Sequence, residues 1–346
     1  SYSLYLWHWP VFVFVKYAGL DLNGTVRIAA ILTIFLLSYF SWKYVEVPFH
    51  RKLKWSFRQT MWRIMFPSLM AIVVIYAVID GYDGLPGRFP GLPEFNKDLN
   101  FPNRVRRACF GKYRIGNIDQ CSLGIKKPQL DGLLIGDSFG NHTAAFLDVL
   151  AKDADLFIHD TTAGGYPLLA RKSENGTYYR PPEYAIERLK YAKQFKNIFI
   201  AANWKNYASP ENINYEPFIN VVGELVEDGM RVVVFTNLRA TTRANLHRLR
   251  LFKTRDVIFF EDRDFTIPYE EWPENFIVSE MKRRYPSIII IDPNPVMCDS
   301  TRCSLEIDET LIYRSRDHLN TKGATLLGNK YLQLVGNPLR QLSGKD

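Results

Sequence analysis

The sequence predicts an α/β domain built on a parallel sheet and preceded by three transmembrane helices. Three observations carry that expectation. Nearly uncharged apolar stretches crowd into the first part of the 346-residue chain. From Gly132 onward, short β-branched runs alternate with segments of helical period. Cys109, Cys121, Cys298 and Cys303 all lie beyond the apolar stretches. With 47% hydrophobic and 23% charged residues, neither a disordered chain nor one wholly buried in a bilayer fits.

The apolar stretches run from Ser1 to Leu20 (broken by Lys16), from Ile28 to Trp42 and from Ile64 to Ile79. The last two fall slightly short of the about 17–25 residues that cross a bilayer. Arg27, Lys43 and Arg63 at their ends have stems long enough to snorkel to the interface. Buried helices of a soluble core would be the plain alternative, but that reading leaves three consecutive helices almost without a polar face. Residues 1–79 are therefore assigned to the membrane.

Orientation follows from the connecting loops. Lys43, Arg51, Lys52, Lys54, Arg58 and Arg63 lie between the second and third stretches, with Glu46 the opposing acid, whereas Asp80 and Asp83 follow the third. The positive-inside rule puts the basic loop and the N-terminus in the cytoplasm and everything after Asp80 outside. Ser1 brings neither an initiating Met nor a basic leader, so the first stretch reads as a cut through a longer membrane protein rather than a signal peptide. The cysteines agree with an oxidising exterior, and their even count and near spacing suggest disulfides Cys109–Cys121 and Cys298–Cys303. A zinc site would need CxxC-type spacing and partner histidines, so no metal is expected. The net charge of +8 raises nucleic acid as a partner, but the Lys and Arg are scattered and no binding signature accompanies them.

Residues 80–130, rich in Gly, Pro, Asn and Arg, read as a linker and irregular extension held by the first disulfide. Residues 131–346 form the domain. Strands are expected at Gly132–Ile135, Leu156–His159, Ile198–Ala201, Val232–Phe235 and Ile288–Ile291. Helical patterns between and after them include Pro181–Gln194, Tyr215–Glu227, Glu274–Arg284 and Thr321–Leu334. Ligands of such sheets bind at the carboxyl ends of the strands.

Those ends carry chemistry. After the first strand comes Gly136-Asp137-Ser138, where a turn into a helix would raise the Ser138 hydroxyl above the sheet; the plain reading is a helix N-cap. After the second comes Thr161-Thr162-Ala163-Gly164-Gly165-Tyr166-Pro167, whose glycines let backbone N–H groups approach a substrate oxygen or simply make a turn. Asn203 follows the third strand and could donate to an oxyanion or brace a loop. His318 precedes the last helix. A nucleophile, two oxyanion donors and a base in that order are hard to obtain by chance.

The ordered set resembles the SGNH hydrolase superfamily over residues 130–340, which implies a three-layer αβα fold. The resemblance implies Ser138 as nucleophile and His318 as general base. Gly165, with Gly164 as rival, and Asn203 would form the oxyanion hole with the Ser138 N–H. The superfamily's last block is usually Asp-x-x-His, but Ser315 stands three residues before His318. Asp317 is adjacent to the histidine, and neighbouring side chains of an extended segment point apart. A Ser–His dyad with a neutral orienter such as Ser315 is therefore expected, with Asp317 as the other candidate.

Ser3-Leu4-Tyr5-Leu6-Trp7-His8-Trp9-Pro10 and Glu46-Val47-Pro48-Phe49 are similar to the closing helices of the acyltransferase-3 membrane family. Together the two parts resemble the C-terminal half of fused acyltransferase-3/SGNH proteins, which O-acetylate bacterial surface polysaccharides such as the lipopolysaccharide O-antigen. That implies an inner-membrane O-acetyltransferase with a periplasmic SGNH domain and a polysaccharide acceptor. It also implies an upstream acyltransferase-3 domain on the same polypeptide, which takes acetyl from acetyl-CoA; no cofactor is expected on this chain. Tyr166, Trp204 and Tyr207 lie near the strand ends and are candidates for stacking on sugar faces. A periplasmic carbohydrate acetylesterase would use the same residues, and a non-catalytic glycan-binding module is the remaining alternative.

Overall fold

A computed structural model describes residues 2–18, 20, 22–50, 55–82, 84, 87, 108–111, 115–164, 171–172, 178–179, 183–204, 215–242, 245–246, 249–250, 253, 266–268 and 275–343. The chain divides into two units: Ser1–Phe95 with Thr242–Arg263, and Asn96–Thr241 with Asp264–Asp346.

In the first unit, α1 spans Tyr2–Tyr17, α2 spans Gly24–Glu46 and α3 spans Phe57–Gly81, the last two each containing a π-helical turn. At 23 and 25 residues, α2 and α3 are long and apolar enough to cross a membrane. Helix α1 has 16 described residues. On length and composition the membrane reading is met by α2 and α3 among the described residues. Val11 of α1 packs on Ala30 and Ile34 of α2, and Ser3 Oγ donates to Glu46 at 2.7 Å, which satisfies polar groups that lipid cannot.

Helix ends lie outside the apolar runs because caps set them. Asn23 accepts from the Val26 N–H at the start of α2, and Ser56 with Gln59 forms a capping box before α3. Arg27 and Arg63 are consequently inside helices rather than beyond them.

The second unit holds a six-stranded sheet. Its strands are β1 (Ser122–Gly124), β2 (Gly132–Gly136), β3 (Phe157–Asp160), β4 (Asn197–Ala201), β5 (Arg231–Phe235) and β6 (Ile289–Ile291), in the order β1-β3-β2-β4-β5-β6. All neighbours pair in parallel except β1, an antiparallel edge strand on β3. Ser122–Gly124 lies in the stretch read as irregular extension. A three-residue strand with one buried side chain offers no periodicity to detect. Every residue of β2 and β4 is buried, as expected of a parallel sheet covered on both faces.

Helices α4 (Ser138–Asp153), α5 (Glu183–Ala192), α6 (Glu216–Glu227), α7 (Phe276–Arg284) and α8 (Thr321–Leu334) cover the sheet. Disulfides join Cys109 to Cys121 and Cys298 to Cys303. The chain passes from β2 to β3 on one side, then crosses back to β4 on the other. Strand β2 is therefore the topological switch point, and the crevice at its carboxyl end is where such sheets place their ligand. Close packing of α4 on that crevice depends on glycine. A Cβ at Gly136 would lie 2.3 Å from the Ala201 carbonyl and 2.6 Å from the Gly140 Cα.

Candidate active site

Ser138 is the first residue of α4, directly past the end of β2. Its Oγ lies 2.8 Å from His318 Nε2, although the two are 180 residues apart. The other imidazole nitrogen, Nδ1, lies 2.7 Å from Asp317 Oδ1 and 3.2 Å from Ser315 Oγ. Ser315 in turn donates to Asp317 Oδ1 at 3.1 Å. A continuous path of hydrogen bonds thus runs from carboxylate through imidazole to hydroxyl, which is the arrangement that activates a serine.

The neutral-orienter dyad is overturned by this geometry: Asp317 reaches the imidazole, and Ser315 braces the carboxylate. The expectation failed because residues 314–317 are not extended. They form a bend closed by a bridge between Tyr313 and Leu319 and by the Arg314 N–H donating to the His318 carbonyl at 2.8 Å. In a bend, adjacent side chains can converge. The bend is anchored below by Asn320, which caps α8 through the Gly323 N–H at 2.6 Å and donates to the Leu311 carbonyl at 2.6 Å. His318 holds the Asp317 carboxyl down at about 2 by hydrogen bonding, so it stays ionised at neutral pH.

Phe139 and His142 of α4 flank the imidazole with ring centroids 4.8 and 5.2 Å away. His142 is buried, its Nδ1 has no hydrogen-bond partner among the described residues, and burial pushes its pKa well below the usual imidazole value. It therefore sits beside His318 as a neutral ring. The sequence reading did not single it out; the only signal was its place one helical turn after Ser138.

Asn203 follows β4, the strand next to β2, and its backbone N–H donates to Asp137 Oδ2 at 2.9 Å. The loop is held from behind. The Trp204 N–H donates to Asn237 Oδ1 at 3.1 Å, the Trp204 Nε1–H to the Phe235 carbonyl at 2.9 Å, and Asn237 Nδ2 to the Ala202 carbonyl at 2.8 Å. Trp204 is wholly buried and packs edge-on against Phe218, so its proposed stacking on a sugar is overturned: it is a core residue. An indole with its N–H satisfied in the core has no face left for a ligand.

Gly165, Tyr166 and Tyr207 lie outside the described residues. Gly164, the rival oxyanion glycine, is described, and a Cβ there would meet the Phe110 ring at 2.9 Å. Its loop is stapled by Arg188, fully buried on α5, which donates to the Thr161 carbonyl at 3.1 Å and to the Gly111 carbonyl at 2.7 Å. Nothing in the sequence pattern marks Arg188 as a buried cation. Among the described residues, no group of three or more His, Cys, Asp or Glu is placed to hold a metal ion.

No curated protein matches the chain. Among solved structures it is similar to the periplasmic domain of a Salmonella serovar Paratyphi A lipopolysaccharide acetyltransferase. That match has 14% identity and a TM-score of 0.47, and covers 70% of this chain and 95% of that one. It is also similar to a mutant of a Geobacillus acetyl-xylooligosaccharide esterase, at 14% identity and a TM-score of 0.35, over 62% of this chain and 97% of that one. Residues 108–333 match the family described as SGNH domain (fused to AT3 domains), where AT3 denotes acyltransferase-3. The match spans well over half of the chain and contains the whole Ser138–His318–Asp317 path, so the chain belongs to the SGNH domains that occur fused to acyltransferase-3 domains.

Proposed function

We propose that this chain is the acetyl-transferring end of a membrane O-acetyltransferase, moving an acetyl group through Ser138 onto a sugar hydroxyl of a bacterial surface polysaccharide such as the O-antigen of lipopolysaccharide. The observation that carries the reading is the 2.8 Å contact of Ser138 Oγ with an imidazole oriented by a carboxylate. Membership of a family fused to acyltransferase-3 domains supports transfer over simple hydrolysis, because an esterase of soluble glycans has no use for the apolar helices α2 and α3.

His318 Nε2 takes the Ser138 proton as Oγ attacks the acetyl carbonyl and forms the new C–O bond. The tetrahedral oxyanion accepts hydrogen bonds from the Ser138 N–H and the Asn203 side-chain amide, with Gly164 or Gly165 as a third donor. Collapse breaks the bond to the donor's leaving group, which departs with the proton from His318. The sugar hydroxyl then gives its proton to His318 while attacking the acetyl-serine, and Ser138 leaves with that proton restored. Asp317 stabilises the imidazolium in both halves. In this scheme an upstream acyltransferase-3 domain takes acetyl from acetyl-CoA on the cytoplasmic side, this chain holds no cofactor of its own, and the SGNH domain faces the periplasm.

The non-catalytic alternative drew its support from Ser315, and the position of Asp317 removes that support. Hydrolysis uses the same residues with water as the second acceptor. One experiment separates the two: the acetyl content of the surface polysaccharide in cells producing the natural polypeptide or its Ser138→Ala variant. Loss of acetyl groups in the variant is expected. An increase would show an esterase, and an unchanged content would contradict any transfer through Ser138.

A further inference from the structure

Asp137 is the N-cap of α4, but its contacts exceed that role. Asp137 is 2% exposed. One oxygen accepts the Phe139 N–H at 2.7 Å, which is the cap. The other accepts the Asn203 N–H at 2.9 Å, from a loop 66 residues away at the end of the neighbouring strand. A cap needs one oxygen, so the second contact calls for its own explanation. A serine would cap as well without burying a charge.

We infer that Asp137 is a positioning residue: as a carboxylate it clamps the turn bearing the nucleophile to the loop bearing the oxyanion donor. The inference rests on the proposed roles of Ser138 and Asn203. An oxyanion donor must lie about 2.7–3.1 Å from the developing charge, so a loop free to drift by a fraction of an ångström loses much of its effect. In the ionised form both oxygens are strong, charge-assisted acceptors. Protonation makes one of them a hydroxyl oxygen, a weaker acceptor, and that side of the clamp loosens.

Burial raises the Asp137 pKa to about 6, opposed by the backbone N–H groups of Asn203, Phe139 and Asp137 itself and by the nearby His318. The groups facing the carboxylate are these N–H donors from the first turn of α4 and the end of β4, and the His318 imidazole from the bend ahead of α8. The folded chain thus binds this proton more tightly than the unfolded chain does. Ionisation costs stability that grows as pH rises from 3.8 towards about 6 and is fully charged above it. The carboxylate is retained against a stability cost, which fits a role in positioning.

The test uses the full chain in detergent with 4-nitrophenyl acetate, comparing the parent, Asp137→Asn, Asp137→Ser and Ser138→Ala. Asn is a neutral isostere, and Ser keeps the cap but cannot reach Asn203. Both Asp137 variants should lose about 100-fold in kcat at pH 8 with KM changed by less than about threefold. The parent-to-variant ratio should shrink to a few-fold at pH 5, where the parent itself is protonated. The thermal midpoint of Asp137→Asn at pH 7.5 should equal or exceed that of the parent. A ratio independent of pH, an unchanged kcat, or a kcat loss matched by a fallen midpoint would overturn the clamp alone, provided that Ser138→Ala is inactive. Turnover by Ser138→Ala would overturn the proposed nucleophile and the clamp with it.

Discussion

Asp317 reaches the imidazole of its own sequence neighbour because the chain bends between Tyr313 and Leu319. The places of Ser138, His318 and Asn203, the proposed nucleophile, base and oxyanion donor, could be read from the sequence, since each stands just after a strand or just before a helix. The orienting carboxylate was misread, because the rule that adjacent side chains diverge holds only for extended backbone. Trp204 was misread for a related reason: proximity to a strand end in sequence does not reveal which way a side chain turns. The geometry predicts that Asp317→Asn lowers kcat for 4-nitrophenyl acetate by about 10³–10⁴-fold, as loss of the orienting carboxylate does in other triads. Ser315→Ala should lower it less than about threefold, since the neutral Ser315 Oγ lies 3.2 Å from His318 Nδ1 while the Asp317 carboxylate lies 2.7 Å from it. Equal losses in the two variants would restore the dyad. The carboxyl of Asp317, held at about 2, has left its ionised form only near that pH, so a decline in activity around pH 6 belongs to other groups.

At the level of elements, the alternation of strands and helices was legible because the central strands β2 and β4 are short, mostly apolar runs buried on both faces. The predicted strand Gly132–Ile135 differs from β2 by one residue, and the predicted helix Thr321–Leu334 coincides with α8. The membrane-helix ends were less legible, because charged residues near a lipid boundary fit inside a helix when their stems snorkel. The glycines that let α4 meet the sheet were visible only as part of a motif. Gly136→Ala should destabilise the second unit by about 1–3 kcal/mol, since the new methyl meets a carbonyl and a Cα that cannot yield without backbone movement. Gly111→Ala, where nothing lies within 4 Å, should stay within about 0.5 kcal/mol. Urea unfolding of both variants checks the contrast, and comparable losses would contradict the packing argument.

For the whole molecule, one chain carries apolar helices α2 and α3 and a domain whose four cysteines are all paired. Cysteine position was legible because the pairs are close in sequence and fall beyond the apolar part. The grouping of Thr242–Arg263 with the N-terminal unit was not, since no composition shift marks that segment off from its flanks. If the domain faces an oxidising compartment, cells lysed directly into an alkylating reagent should yield a polypeptide with Cys109, Cys121, Cys298 and Cys303 unmodified. Alkylation of all four would place the domain in the cytoplasm and contradict the proposed topology.

The most direct test of the central claim is intact-mass analysis of the full chain after brief exposure to an activated acetyl ester, with Ser138→Ala as the control. A single acetyl adduct in the parent, mapped to Ser138 and missing from the variant, is the result predicted. An unmodified parent, or an adduct that persists in Ser138→Ala, would contradict acetyl transfer through this serine.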